Sequence, residues 1–459
     1  MGQMVRNGAP HQRKASATQR MDRTFFLLFC AAAAFDFRSD EHASSIIQVC
    51  LGILACLAFG LLMINTRRPS RDLPLLRRVT WLWWVYLASS MGIALLRGVA
   101  PFHYLRIIFP YLLLGEGLII GYFLLAEREE NAIRMFRAIF YSSAISSVVF
   151  LIKGLTMGRS MEELRYFIIS PLLIVLFSFA IFRLMFEGVR SGWMNYAALA
   201  LAMGIMFLSV TRTFLLCLLT VIAAAVYSVI RPPGWLGSKL RKRLIVQMFR
   251  AAVVMPLVAV GLIIVFPNIV RTWTDRSSLI GSSDPTGLAR IAEAAWEMEA
   301  MTSDASHFVL GSGIGSDHEN DERYLIGVVA TKEESLTQHV YFPGHIVWPY
   351  ELYASGILMG WVLPFVFLVA IWRGCSRQSS YISRMAAIAV LAILVGSTLG
   401  NILFYRGGGI GLGLLFALCL YGPGNKRKTR GRNLGSEGRP IHPSVKPDFV
   451  PARDILFLS

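Results

Sequence analysis

Apolar residues along this chain come in long uncharged runs, not in the strict alternation of half-buried strands. The runs fall at 24–37, 44–65, 79–96, 105–126, 132–152, 166–186, 196–210, 214–230, 251–267, 349–372, 385–402 and 410–421. They predict an all-α polytopic membrane protein with about 12 transmembrane helices. Several runs are shorter than the ~20 residues of a full crossing, so their ends are set only loosely by the pattern. The first run ends in four alanines, Ala31 to Ala34. It reads either as the h-region of a signal peptide or as a short first span. One long polar segment interrupts the series at 268–348, and its core, with the start of the next apolar run, reads GLARIAEAAWEMEAMTSDASHFVLGSGIGSDHENDERYLIGVVATKEESLTQHVYFPGHIVWPYELYASGILMG from Gly287 to Gly360. The chain is thereby divided into a basic N-terminus (1–23), nine spans (24–267), one large outer loop (268–348), three spans (349–421) and a basic tail (422–459).

Composition agrees with that pattern. The 459 residues are 55% hydrophobic and 16% charged, and a mean hydropathy of +0.55 excludes a soluble domain of this size. The net charge of +17 would suggest nucleic acid in a soluble chain; in a membrane protein its placement matters more than its sum. With the N-terminus in the cytoplasm and the spans alternating, 32 of the 45 Lys and Arg residues fall in inner segments. Every short inner loop is then basic, both termini lie inside, and 268–348 lies outside. The charge is an orientation signal, and no nucleic-acid partner is expected. The tail, rich in Lys, Arg, Pro and Gly, reads as disordered and suited to touching anionic membrane lipid. The six cysteines lie outside the polar segment, so neither a disulfide nor a thiolate metal site is expected there.

Candidate chemistry gathers on the outer side. Arg212 stands between Thr211 and Thr213 in a tight polar link between two apolar runs. It reads either as an arginine snorkelling to the interface or as one gripping a phosphate through its fork of N–H donors, aided by the two hydroxyls. Arg97, Arg106, Arg165 and Arg406 lie near the same boundary, and such a ring suits a lipid-linked diphosphate without Mg²⁺. Residues 288–301 predict an amphipathic helix with Ile291, Ala295 and Met298 on one face, Trp296 beside them and Arg290 in its first turn. Arg290 is either a solvated surface residue or a second anion ligand. Asp304 or Ser306 is placed to cap the next element.

Gly311, Gly313 and Gly315 alternate in a tight turn that lets backbone approach something closely. The turn lacks the strand and spacing of a nucleotide fingerprint. The acidic cluster Asp317 to Glu322, with His318, reads as a solvated loop rather than a metal site, because its ligands are adjacent instead of helically spaced. His345, before the apolar run at 349, is a candidate base or hydrogen-bond donor, with an interfacial histidine as the plain alternative and His339 as its rival. Glu351 is placed to orient a neighbour. Glu116 is a lone carboxyl within an apolar run, either functional or paired with an arginine of a neighbouring span.

In this order these residues resemble the O-antigen ligase and polysaccharide polymerase superfamily of bacterial inner-membrane glycosyltransferases. The resemblance rests on Thr211-Arg212-Thr213 before an apolar span, on Arg290 with Trp296, on the Gly311, Gly313, Gly315 turn, and on His345 followed by Gly356 and Gly360 opening a membrane segment. It covers roughly 207–372; the spans before that agree in number and hydropathy only. The departures are Ile346, where the family often has Asn, and a long stretch between the glycine turn and His345. The resemblance implies a GT-C-like helical fold in the bacterial inner membrane, with the active site facing the periplasm. It implies glycosyl transfer without metal or cofactor, from a glycan on undecaprenyl diphosphate to a glycan or a lipid A-core acceptor. Arg212 and Arg290 would bind the diphosphate and stabilise it as it leaves, with Thr211, Thr213, Gly313 and Trp296 lining the substrate site, and His345 would bind substrate or activate the attacking hydroxyl. A transporter or flippase of lipid-linked oligosaccharide is the alternative. It predicts several intramembrane ionisable groups and broken helices in both halves.

Overall fold

A computed structural model describes residues 26, 45–65, 71–158, 164, 167–170, 172–234, 236, 238, 241–242, 244–246, 264, 267, 270–271, 273–274, 285–316, 346–398 and 406–422. Their regular structure is entirely helical. In chain order the helices are α1 (Ser45–Asn65), α2 (Pro74–Leu96), α3 (Pro101–Glu127), α4 (Glu130–Met157), α5 (Leu173–Glu187), α6 (Trp193–Ser209), α7 (Arg212–Ile230), α8 (Pro285–Thr302), α9 (Ala305–Leu310), α10 (Val347–Met359), α11 (Val362–Gly374), α12 (Tyr381–Ser397) and α13 (Arg406–Leu420), with a 3₁₀ turn at Gly188–Ser191. Prolines open α2 and α3, where the missing N–H leaves no bond unmade.

Among the described residues, four helices are long and apolar enough to cross a membrane alone: α2, α3, the 130–156 portion of α4, and α7. Shorter apolar helices lie at Gly52–Ile64, Trp193–Ser209, Tyr381–Ser397 and Gly408–Leu420. The predicted runs at 24–37, apart from Phe26, and at 251–267, apart from 264 and 267, fall outside the described residues. One expectation changes. The run at 349–372 is not a straight span: α10 and α11 meet at 96°. The backbone of Gly356 leaves helical geometry at φ 58°, ψ −176°. Hydropathy registers apolar composition and says nothing of this change in direction.

Among the described helices, α3 and α13 share the most extensive contact. Both present glycines, and a Cβ added at Gly117 would stand 2.9 Å from Ile410 O, while one at Gly413 would collide with Leu114 O. Backbones come this close only where side chains are absent, the usual means of joining helices that share an apolar solvent.

The connections fall at two ends. At one end Arg71 N–H donates to Ala126 O (3.1 Å) and Gly234 N–H to Arg377 O (3.0 Å). The Tyr381 hydroxyl donates there to Glu187 (2.9 Å), and Arg183 pairs with Glu187 at 3.1 Å. These are loops that the Lys and Arg count puts on one side. At the other end lie the α2–α3 connection, the polar helices α8 and α9, and the glycine turn.

Candidate functional site

The helix expected at 288–301 is α8, and the cap expected at Asp304 forms: its carboxylate accepts the Ser306 N–H at 3.2 Å and opens α9. The buried face of α8 is not the expected one. Ile291 is 64% exposed, whereas Met301 is buried and Trp296 and Ala300 pack on the core. The partner decides the face: α8 lies on α10, with the Trp296 ring 5.5 Å from that of Tyr353.

The glycine turn closes the same corner. Ser312 N–H donates to Tyr353 O (2.8 Å) and Gly313 N–H to Ala354 O (2.9 Å). Gly311, Gly313 and Gly315 have φ of 82°, 92° and 81°. A Cβ at Gly311 would sit 2.5 Å from Gly356 N, and one at Gly356 would sit 2.5 Å from Gly311 N, so each glycine requires the other. Gly313 lies against Ala94 and Val99, and Gly315 against His103 and Tyr104, at the α2–α3 connection. Gly315 N–H reaches the Tyr350 hydroxyl at 3.4 Å. What this turn approaches closely is the protein's own backbone, and these N–H groups are spent there.

The sequence places Arg97 in a ring of phosphate-binding guanidiniums; the structure gives it another use. Its Nε donates to Gly311 O (2.9 Å) and an Nη to the Ser306 hydroxyl (3.0 Å), so it ties the α2–α3 connection to the glycine turn and α9. Arg290 lies on α8, partly exposed, upstream of Trp296. Trp296, Gly313 and Gly356 are thereby brought together around the α8–α10 seam.

Arg212 occupies a second corner. It is the first residue of α7 and is exposed, with Thr213 buried behind it and Thr211 as the N-cap. The Thr211 hydroxyl donates to Ser209 O at 3.0 Å. Val210, just before, is held at φ 46°, ψ 42°. It is the only positive-φ residue other than glycine among the described residues, and this conformation costs a β-branched residue about 1–3 kcal/mol. Strain of this kind persists where the surroundings impose it, and here it immediately precedes the Thr211–Thr213 corner. Trp273 Nε1 donates to Phe207 O nearby (3.1 Å). The helix of Arg212 packs on α5 and α12, and that of Arg290 on α9 and α10. His345, His339, Arg165 and the acidic cluster 317–322 lie outside the described residues.

Glu351, expected to orient a neighbour, belongs to a buried polar cluster beneath the glycine turn that sequence reasoning did not assemble. Glu351 of α10 accepts hydrogen bonds from the hydroxyls of Tyr86 (2.8 Å) and Tyr111, on α2 and α3. Trp83 Nε1 fixes Tyr111's helix by donating to Tyr111 O (3.0 Å). Glu297 of α8 is 1% exposed, and both its carboxyl oxygens are buried without a hydrogen-bond partner among the described residues. Burial, and then the charge of Glu293, push its pKa up to about 9. The signal is present as a Glu next to Trp296, but the expected face of α8 turns it to solvent. Glu116, buried within α3, takes a hydrogen bond from Cys56 of α1, not from an arginine.

The fold and the corner together define a helical membrane protein with a structured polar assembly at one end of the bundle. The chain matches no protein-family model, and a search of curated proteins finds no match.

Proposed function

We propose that the chain is a metal-independent glycosyltransferase of the bacterial inner membrane, with about 12 spans of GT-C-like arrangement and its outer loop at 268–348 in the periplasm. It transfers or polymerises glycan from an undecaprenyl-diphosphate-linked donor, as an O-antigen or exopolysaccharide polymerase or as an O-antigen ligase. Arg212 and Arg290 hold the diphosphate and stabilise its charge as it leaves; His345 holds or activates the acceptor. The observation that carries this reading is the convergence of motif pieces far apart in the chain: Trp296, the Gly311–Gly315 turn and Gly356 meet at one seam. The strained backbone at Val210, two residues before Arg212, supports it further.

A second reading, transport of a lipid-linked oligosaccharide, draws on the break between α10 and α11 and on the buried Glu116 and Glu351. Deleting the chain separates the two. Surface polysaccharide is resolved by size, and its carrier is identified. Single repeat units on lipid A core indicate a lost polymerase; long chains on undecaprenyl diphosphate beside bare core indicate a lost ligase. Glycan joined normally but held on the inner face indicates a transporter, and an unchanged profile removes the glycan reading altogether. In the same strain Arg212→Lys is expected to restore little more than Arg212→Ala, because a point charge does not replace the bidentate fork. Full restoration by Lys removes the diphosphate role of Arg212.

A further inference from the structure

Two glutamates neighbour Tyr350 in the buried cluster at the α8–α10 seam. Glu351 has its carboxyl oxygens occupied by Tyr86 and Tyr111. Glu297 has neither oxygen occupied among the described residues, yet it is as deeply buried as Glu351. Buried polar groups without partners are rare because each costs about 1–3 kcal/mol. One that persists in a packed corner calls for a partner that the described residues do not supply. We propose that Glu297 is the acceptor-recognition residue of this protein, its carboxyl group taking a sugar hydroxyl at the α8–α10 seam beside Trp296 and Tyr350.

The chemistry matches a hydroxyl group. Burial keeps the Glu297 carboxyl protonated at neutral pH, so it offers one donor and one acceptor, as a hydroxyl does. A diphosphate offers acceptors only and belongs with the arginines. Trp296, half-buried on the same helix, supplies an apolar aromatic face of the kind that sugar rings rest on. The groups that bear on Glu297 are Glu293, one turn earlier on α8, and Tyr350 from α10. From α9, Asp304 and His307 pair with each other at 3.4 Å.

This assignment rests on the glycosyltransferase reading, so the test keeps the two apart. The deletion strain is complemented with wild type, Glu297→Leu or Glu297→Gln, with membrane levels and detergent Tm checked for each. Purified protein is then assayed with undecaprenyl-diphosphate-linked glycan from the same strain as donor and a chemically distinct acceptor, a labelled repeat unit on a short-chain lipid or lipid A core as the deletion profile indicates, each varied in turn. Glu297→Leu, which fills the space without donor or acceptor, is expected to raise the acceptor KM roughly tenfold or more while leaving the donor KM in place. Glu297→Gln keeps a donor and an acceptor and is expected to recover most of that loss. The sign with pH is fixed: ionisation removes the donor, so wild-type acceptor affinity falls as pH rises through about 9, and Glu297→Gln loses this alkaline limb. An acceptor KM unchanged in a folded Glu297→Leu overturns the assignment and leaves the enzyme reading intact. Loss of all transfer in Glu297→Gln also overturns it, in favour of a proton-transfer role. If the deletion leaves the glycan profile unchanged, the enzyme reading fails and this assignment falls with it.

Discussion

Among the described residues, Glu297 and Val210 are two whose burial or conformation runs against their own preference. Val210 carries its strain in the backbone, and Glu297 carries its cost in protonation. The folded chain holds a proton on Glu297 up to about pH 9, whereas an unfolded glutamate releases it near 4.5. The folded state therefore binds the extra proton between those values, and stability falls as pH rises through that window. At pH 7 the penalty is on the order of 3 kcal/mol relative to a side chain that cannot ionise. Glu297→Gln should melt several degrees above wild type at neutral pH, with a gap that widens towards pH 9 and closes towards pH 4. A gap independent of pH would mean that Glu297 is solvated and ionised. Neither residue announces itself in the sequence. A valine in left-handed geometry looks like any valine of an apolar run, and a glutamate next to Trp296 looks like the polar face of an amphipathic helix.

Among the elements, α10 and the glycine turn act as one unit. Gly356 and Gly311 occupy each other's missing side-chain space, and two backbone hydrogen bonds run alongside. Gly356→Ala would drive a Cβ into this contact and would place alanine at φ 58°, ψ −176°, a region reserved for glycine. The expected cost is on the order of 3 kcal/mol, read as a Tm lowered by several degrees in detergent. A melting temperature equal to wild type would show that the pairing carries no energy. The glycines are legible as a close backbone approach; their partner is not. Alternate glycines state that Cβ atoms are excluded, but only the fold says which backbone excludes them. Likewise the apolar positions of α8 mark a helix, while the docked face follows the rings of α10 and not the largest apolar stripe. Arg97 reads in the sequence as a cation near a membrane boundary, and its use as a tie to Gly311 O depends on a residue more than two hundred positions away.

For the whole molecule, the legible part is the grouping of loops. Basic loops far apart in the chain are joined by hydrogen bonds at one end, through Arg71 with Ala126 and Gly234 with Arg377, while Arg97 joins the α2–α3 connection to the glycine turn at the other. The ends cannot be reassigned loop by loop without breaking these contacts, so orientation in the membrane is a single choice. The Lys and Arg count predicts which choice is made, because basic loops tend to stay on the cytoplasmic side. A reporter fused after Lys332 is therefore expected to behave as periplasmic, and one after Lys239 as cytoplasmic. Reversal of both would keep the fold and invert the protein. On the glycosyltransferase reading, the Arg212 and Arg290 corners would then face away from the compartment in which the proposed donor is used. Both reporters on the same side would contradict the pairing of loop ends, and with it the arrangement of α2, α3 and α10 that builds the seam.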